Sequence, residues 1–296
     1  MKLIAPAKIN LYLKVLRQRD DGYHEIETLF ERISLFDYIN VEPAARTTII
    51  CDNPRVPTGS GSLLARTVES FCNLRGEEAH FRITLEKNIP IAAGLGGGSS
   101  DAAALLKGLN GVTGGDIAKD ELLGIARALG ADVPFFLDES SFGFGKGCGD
   151  IVTKINSTMD IGHILVTPPF GVSTADVYRK VSAFGLTKNM AVDRMFTAFL
   201  NENNIASIAE NLCNDLQAIV LRDFPVLEKV FSALNDSGAE GALLSGSGPT
   251  VFGIFSPEKI GGAEKKIRKT FPSEEGWIVR VAQTYNTEVT EKDRRH

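Results

Sequence analysis

The sequence predicts an α+β fold in two domains. Segments typical of strands and segments typical of helices are mixed in both halves of the 296-residue chain. A chain of this length corresponds to one large domain or to two of ordinary size. The polar stretch Asn156–Asp160 precedes a new strand-like segment, HILVTPP. We therefore expect an N-terminal domain over residues 1–156 and a C-terminal domain over residues 157–296.

The predicted elements of the N-terminal half follow from residue patterns. Residues 2–16 are rich in apolar and β-branched residues and indicate a strand, and an Asp-Gly turn leads from it into further strand-like segments. A loop rich in proline, glycine and serine, 52–62, separates this part from a helical pattern. The further segments predicted here are strands at Glu25–Leu35, Tyr38–Val41, TTIICD and HFRITLEKNIP, and helices at Ser62–Asn73, from about Ser100, and at Asp120–Leu129.

In the C-terminal half, most of the predicted helices come before the last predicted strands. Apolar residues at helical spacing predict helices near 174–183, 190–201, 204–221 and 224–236. The stretches ALLSGSGPTVFGIF and WIVRVAQ are expected to form the closing strands.

Composition and charge exclude several classes of partner. Hydrophobic residues make up 43% of the chain, the net charge is −5, and no basic block occurs, which argues against nucleic acid and membrane surfaces. The four cysteines are far apart without a CxxC pair, so reduced thiols are expected instead of a zinc site or disulfides. The N-terminus lacks the apolar core of a signal peptide, and no apolar run is long enough to span a membrane. We expect a cytoplasmic protein.

A glycine-rich loop is the strongest chemical signal in the chain. Pro90–Leu106 reads PIAAGLGGGSSDAAALL, between a strand and a helix. It has no Walker lysine, and Ser99 stands where the dinucleotide pattern GxGxxG needs its last glycine. Glycine backbone and a helix start still form an anion site, to which Ser99 and Ser100 could add hydroxyls. A tight turn would need one or two glycines, so the loop predicts phosphate binding through Gly94, Gly96, Gly97 and Gly98.

Two charged residues stand in settings that call for a partner. Lys8 lies on the first strand among apolar residues, where an ammonium needs a counter-charge or a polar cavity. Asp132 follows a helix in the turn Gly-Ala-Asp-Val-Pro, and we expect Pro134 to hold Val133 extended and the turn stiff. A stiff turn suits a general base. A lysine that reaches solvent from a strand edge and an ordinary aspartate in a turn are the alternatives.

Three motifs together resemble the GHMP kinase superfamily, which includes galactokinase, homoserine kinase and mevalonate kinase. They are PAKINLYLKV, PIAAGLGGGSSDAAALL and ALLSGSGPTVFGIF, in the family's order and across nearly the whole chain. The resemblance implies an N-terminal domain like ribosomal protein S5 domain 2 and a ferredoxin-like C-terminal domain. It also implies ATP as phosphoryl donor, with Mg²⁺ entering on the nucleotide. The nucleotide-binding residues it implies are Lys87, Pro90, Gly94, Gly96, Gly97, Gly98, Ser99 and Ser100.

DGYHEIETLF, GLGGGSSDAA and GADVPFFL resemble one branch of that superfamily, which phosphorylates a cytidine-diphosphate sugar alcohol. This implies Asp132 as the base that takes the hydroxyl proton, with Lys8 paired to it. It places Asn10 on the substrate's polyol or phosphates and Tyr23 with His24 on the cytosine, with Tyr178 closing the other side.

This sequence departs from the branch at two positions. Ser62 stands where an adenine-contacting asparagine is usual, and Gln217 replaces the usual glutamate in NLCNDLQ. The substitution at Ser62 puts the adenine contacts on that side in doubt.

Other readings stay open at this point. A sister kinase acting on homoserine or a mevalonate is disfavoured by DGYHE, and a nucleotide or sugar sensor on an inactive kinase scaffold is disfavoured by the presence of Lys8 and Asp132. A Rossmann oxidoreductase is disfavoured by Ser99. The chain offers no acidic cluster for a protein-built metal cage, and both a monomer and a homodimer fit the sequence.

Overall fold

The computed structural model of the chain describes residues 1–184, 195 and 204–286. Eleven strands are found within this part. They are β1 (Lys2–Gln18), β2 (His24–Pro43), β3 (Thr48–Cys51), β4 (Phe81–Glu86), β5 (Phe142–Lys146), β6 (Ile151–Ile155), β7 (Gly162–Thr167), β8 (Cys213–Asn214), β9 (Gly241–Leu244), β10 (Val251–Phe255) and β11 (Ile278–Gln283).

Nine α-helices are found in the same described residues. They are α1 (Leu63–Arg75), α2 (Gly97–Val112), α3 (Lys119–Leu129), α4 (Val133–Leu137), α5 (Thr174–Phe184), α6 (Ile205–Glu210), α7 (Gln217–Asp223), α8 (Leu227–Asp236) and α9 (Pro257–Thr270), with a 3₁₀ turn at Ser273–Glu275. Among the described residues, no helix is both long and apolar enough to cross a membrane.

The strands form two sheets, which confirms the predicted α+β class. A seven-stranded sheet has the order β3-β4-β2-β1-β8, with β5 pairing β2 and β6 pairing β5. A four-stranded sheet has the order β11-β7-β10-β9. The first six strands, which end at Ile155, belong to the seven-stranded sheet. Of the described strands from Gly162 onward, β8 pairs with β1 in that sheet and the others form the four-stranded sheet. The division into two domains after residue 156 stays a prediction.

The first hairpin is longer than the sequence indicated. β2 runs without a break through the two shorter strands expected at Glu25–Leu35 and Tyr38–Val41. It pairs antiparallel with β1 from Lys2↔Asn40 to Gln18↔His24. The pairing contains register shifts, which are irregularities that interrupt the ladder locally without ending the strand.

The expectation of a single helix over 204–221 is wrong. Two short helices, α6 and α7, are separated there by β8. Asn214 is the cause, because its amide donates to the carbonyls of Leu244 and Gly246 while its oxygen accepts from the amide of Leu216. These bonds tie the backbone to the second sheet and end the helix. The helix expected near 190–201 lies outside the described residues apart from Met195.

The two halves share one apolar core. Ala7, Ile9 and Leu29 from the first half are buried in the same cluster as Leu165 and Phe252 from the second half. Each sheet therefore buries part of its apolar surface against the other half, which fixes the cleft between them.

Gly94 makes a very close backbone contact between the halves. Its backbone φ is +77°, and a Cβ added there would lie 2.0 Å from the carbonyl oxygen of Ser245. The Ser245 hydroxyl donates to the carbonyl of Gly94 over 3.0 Å, and the amide of Thr250 donates to the carbonyl of Ala93. Only a glycine allows this approach of two backbones.

Gly94→Ala is therefore expected to lower the melting temperature strongly. The left-handed backbone alone costs about 1–2 kcal/mol for a residue with a Cβ, and the overlap with Ser245 adds to that. Thermal unfolding followed by circular dichroism measures the change. Gly261→Ala is the matched control: Gly261 lies in α9 with open space around its Cβ position, so alanine should stabilise slightly. Equal melting temperatures for Gly94→Ala and the wild type would contradict the contact.

Candidate active site

A cavity of about 940 Å³ lies between the two halves of the molecule. Its walls come from the middle and end of β1, the β1–β2 turn and the first part of β2, the loop before α1 and its first turn, the glycine loop, the segment before α4, the start of α5 and the loop after β9. Both glycine motifs predicted from the sequence thus face one space, together with nearly all the predicted site residues.

Lys8 and Asp132 meet in this cavity. Lys8 Nζ lies 3.3 Å from Asp132 Oδ2, and the lysine side chain is only 5% exposed. Lys8 Nζ also donates to Asn10 Oδ1 over 2.7 Å, and Asn10 Nδ2 donates to the Thr28 hydroxyl. Asn10 lines the cavity, but its amide oxygen is bonded to the Lys8 ammonium and its amide nitrogen to Thr28. Its predicted contact with a substrate stays a prediction.

Asp132 is presented differently from the predicted stiff, extended turn. It stands just before α4 with φ −84° and ψ −14°, and Val133 is the first residue of that helix, not an extended residue. Pro134 follows within the first turn, where a proline is tolerated because the amide it lacks would have no helical partner. The expectation about Val133 is therefore wrong, and the short helix fixes the aspartate instead.

The glycine loop passes directly into α2. The helix begins at Gly97, three residues before the predicted start, and Gly96 with φ +68° takes the capping position. Within the described residues no side chain caps this end, so neither Ser99 nor Ser100 is the predicted cap. The amides of the first turn therefore point, unsatisfied by side chains, at the cavity, as an anion-binding helix start requires.

The glycines of the loop are required for different reasons. A Cβ on Gly96 would lie 2.9 Å from Lys8 Cγ, and one on Gly97 would lie 2.9 Å from Lys87 Nζ. The Cβ position of Gly98 is open, with Leu63 Cδ2 at 3.9 Å as its neighbour. Gly98 is exposed to the cavity, so the protein itself leaves room there for a ligand.

Ser99 and Ser100 of the glycine loop lie in different environments. Ser99 lines the cavity beside Gly98. Ser100 is buried, is not part of the cavity wall, and its hydroxyl has no partner among the described residues. The structure brings the first serine to the site and not the second.

Lys87 is held between two buried carboxylates. It donates to Asp37 and, over 2.7 Å, to Asp101 Oδ2, and all three side chains are at most 5% exposed. The two ion pairs raise the pKa of Lys87 against the opposing effect of burial. Burial raises the pKa of Asp101 to about 7, and the carboxylate of Asp37 acts in the same direction. Asp101 Oδ1 has no partner among the described residues.

This charged cluster was not predicted. Lys87 was expected to reach a nucleotide, yet its ammonium is occupied by Asp37 and Asp101, which are far from it in the sequence. The lysine still lines the cavity.

Aromatic residues line the opposite end of the cavity. The rings of His24 and Tyr178 lie 5.3 Å apart, and Tyr23 is 64% exposed beside them. Burial lowers the pKa of His24 and raises that of Tyr178, so both rings are neutral at pH 7. His24 Nε2 is buried without a partner among the described residues. A flat, neutral ring with hydrogen-bonding edges fits this end.

The end near Ser62 is apolar. Ser62 caps α1 by accepting from the amide of Ala65 over 3.2 Å, and it is not part of the cavity wall. Val56, Pro57 and Leu85 line the cavity there. Gln217, where a glutamate is usual, accepts from the amide of Leu244 and so serves the fold.

The cavity wall also contains residues that sequence reasoning missed. They are Gly246 and Ser247, in the loop after β9, together with Cys148 and Arg179. The sequence pattern pointed to the loop as a whole, but no pattern marked these single residues.

The fold and the motifs match one family. The model of the GHMP kinases N terminal domain matches residues 62–139, and the GHMP kinases C terminal model matches residues 195–273. A homoserine kinase from Cytophaga hutchinsonii superposes with a TM-score of 0.74 at 20% identity, covering 97% of this chain and 94% of that one, and shows the shared fold. The chain belongs to the GHMP kinase family.

Within that family, the chain is similar over most of its length to one kind of kinase. Proteins named 4-diphosphocytidyl-2-C-methyl-D-erythritol kinase from Syntrophotalea carbinolica and Geobacter metallireducens are 37% and 38% identical to this chain. The alignments cover 96% of this chain and 98% of the first protein, and 90% and 94% for the second. The crystal structure of a 4-(cytidine 5'-diphospho)-2C-methyl-D-erythritol kinase superposes with a TM-score of 0.78 at 32% identity, covering 95% of this chain and 99% of that one.

The raised pKa of Asp101 predicts a pH-dependent stability. In the unfolded chain an aspartate loses its proton near about pH 4, whereas the folded protein keeps it on Asp101 up to about pH 7. The folded state therefore binds more protons in this window, and the free energy of unfolding should fall as pH rises through it. Asp101→Asn cannot ionise, so its melting temperature relative to the wild type should be higher at about pH 8 than at about pH 5.

Asp138→Asn is the control for this prediction. The amide of Ser140 and Lys119 hold the pKa of Asp138 at about 2, so its stabilising contribution is lost only as pH falls below the ordinary carboxyl range. Its effect on melting should be the same at both pH values. A constant offset for Asp101→Asn as well would contradict the assignment.

Proposed function

We propose that this chain is an ATP-dependent kinase that phosphorylates the 2-hydroxyl of 4-diphosphocytidyl-2-C-methyl-D-erythritol, giving the 2-phosphate and ADP in non-mevalonate isoprenoid precursor biosynthesis. The observation that carries the proposal is the Lys8–Asp132 pair in the same cavity as the open start of α2. A base and an anion site facing one space are what phosphoryl transfer to an alcohol requires. A cytoplasmic location and a monomer or homodimer stay predictions.

The phosphates of ATP belong at the start of α2. The first-turn amides and the positive end of the helix dipole attract them, and the absence of a Cβ at Gly98 lets them approach the backbone. Leu63, Leu85 and Val56 line the cavity as well and offer apolar surface for the base.

Mg²⁺ would enter with the nucleotide. Among the described residues no group of three His, Cys, Asp or Glu side chains could hold an ion by itself, but Ser99 lines the cavity at the helix start and offers a hydroxyl oxygen. When bound, the ion would neutralise charge on the transferring phosphoryl group.

Asp132 takes the proton of the accepting hydroxyl. Its carboxylate is partly exposed to the cavity, and the Lys8 ammonium, 3.3 Å away, holds it in position for the proton transfer that a base performs. The ammonium is in turn fixed by Asn10, so the pair keeps its orientation while charge moves.

The cytidine end of the substrate fits the aromatic end of the cavity. His24 and Tyr178 present neutral rings on which a base can stack, and the free Nε2 of His24 offers a hydrogen bond. One continuous cavity connects this end with the glycine loop.

A substrate panel tests the proposal. Purified chain with Mg²⁺ and ATP should release ADP with 4-diphosphocytidyl-2-C-methyl-D-erythritol and not with homoserine, mevalonate or galactose. Asp132→Asn should abolish that turnover while ATP affinity stays within about twofold, because the residue acts on the acceptor and not on the nucleotide. ADP release with a different alcohol would keep the kinase and reject the substrate. ATP binding without any turnover would favour a sensor.

The phosphate position predicts a second result. Gly98→Val should fold like the wild type, because the protein leaves its Cβ position open, and should weaken ATP binding by at least about tenfold through the lost approach of a phosphate. Isothermal titration calorimetry with ATP and Mg²⁺ measures the affinity. Gly124→Val is the matched control, since Gly124 is an exposed glycine of α3 that is also open at its Cβ position and lies outside the cavity. Unchanged affinity in Gly98→Val would place the phosphates elsewhere.

A further inference from the structure

Arg32 is a buried cation at the far end of the helix that carries Asp132. It lies on β2, is 2% exposed, and its Nη2 donates to the carbonyl of Phe135 over 3.1 Å and to the carbonyl of Asp138. Both carbonyls belong to α4 or to the residue that ends it. A single guanidinium thus holds the C-terminal end of the element whose N-terminal end presents Asp132.

α4 depends on such a contact because it is short. A five-residue helix cannot satisfy its own terminal carbonyls, and one turn is not stable alone. A cation at the C-terminus satisfies those carbonyls and complements the helix dipole. The fork of an arginine can reach two carbonyls from a fixed position on a strand, which a lysine does less well.

A second path leads from Arg32 to the other member of the pair. The Arg32 guanidinium lies 5.3 Å from the Phe135 ring, which stacks on Phe30 at 4.9 Å. Lys8 Nζ lies over the Phe30 ring, 5.4 Å from its centroid. Each of the two stacked rings therefore has a cation over it, and each cation–ring contact is attractive. Since Lys8 contacts Asp132, the path closes on the carboxylate.

Burial of Arg32 is unfavourable for packing alone. Removing a guanidinium from water costs more free energy than burying an apolar side chain of the same volume. Burial lowers the pKa of Arg32 to about 10, and within the described residues its Nε has no partner. A methionine would fill the same volume without that cost, so the bonds that the arginine makes to α4 are the reason for a cation here.

We propose that Arg32 is a positioning residue for phosphoryl transfer, which fixes Asp132 through α4 and Lys8 through the Phe135–Phe30 stack. It touches neither substrate nor the reacting atoms. The inference rests on the proposed kinase function. Its effect is on the orientation of the carboxylate against the accepting hydroxyl, and not on the binding of either substrate.

Arg32→Met tests the role by steady-state kinetics. Rates are divided by the stoichiometry of nucleotide binding in each preparation, so that unfolded protein does not count. We expect kcat to fall by about 100-fold, as a displacement of about 1 Å in a catalytic group does, with KM for both substrates within about threefold. Arg32→Lys keeps the charge and one carbonyl contact and should recover about a tenth or more of the wild-type kcat.

Phe135→Leu is the second variant, for the case in which Arg32→Met does not fold. It keeps the carbonyl that Arg32 contacts and removes the ring from the stack, so kcat should fall by about tenfold with KM unchanged. Val68→Ala is the control, because Val68 is buried in α1 outside this path and its truncation lowers stability without an effect on kcat.

Two results would distinguish a failure of the positioning role from a failure of the proposed function. Wild-type turnover together with wild-type kcat in Arg32→Met or Phe135→Leu, or a loss expressed in KM alone, would overturn the positioning role and leave the proposed function intact. An absence of wild-type turnover with the cytidylated substrate would overturn the proposed function, and this inference with it.

Discussion

The backbone approach between Gly94 and Ser245 is the constraint on which the cleft depends. The glycine loop and the loop after β9 touch at a distance that excludes even a methyl group, and the Ser245 hydroxyl bonds across the contact. Asn214 holds the second loop from below by donating to the carbonyls of Leu244 and Gly246. With both loops fixed, the start of α2, the Lys8–Asp132 pair and the aromatic end face one cavity.

The electrostatics of the site account for a phosphate loop without a lysine of its own. The two buried ammoniums that line the cavity are each paired, Lys8 with Asp132 and Lys87 with Asp37 and Asp101. Neither brings a net positive charge to the phosphates. The attraction must then come from the backbone amides and dipole of α2, which need no side chain and lose no rotamer freedom. The cost is sensitivity to shape, because a Cβ on Gly96 or Gly97 would displace Lys8 or Lys87.

Local patterns predicted much of this molecule, and the failures have a common origin. The α+β class, the helix α1 and the glycine loop follow from periodicity and from glycine spacing, which are local. The ion pairs of Lys87 and the role of Asn214 depend on partners more than ten residues away and left no mark in the pattern. The rule that a residue before proline is extended failed at Val133, because tertiary contacts to α4 outweigh that local preference.

The short strand β8 has a consequence for how the protein is made. It pairs in parallel with β1 through Tyr12↔Cys213 and Leu13↔Asn214, and Asp215 accepts from the amide of Val15. These partners are separated by roughly two hundred residues, so the contact forms late and at a high loop-closure cost. On the ribosome, the apolar edge of β1 therefore stays open until most of the chain has emerged. A nascent chain with a free strand edge can pair with another, so chaperones that shield such edges are expected to raise the yield of folded enzyme.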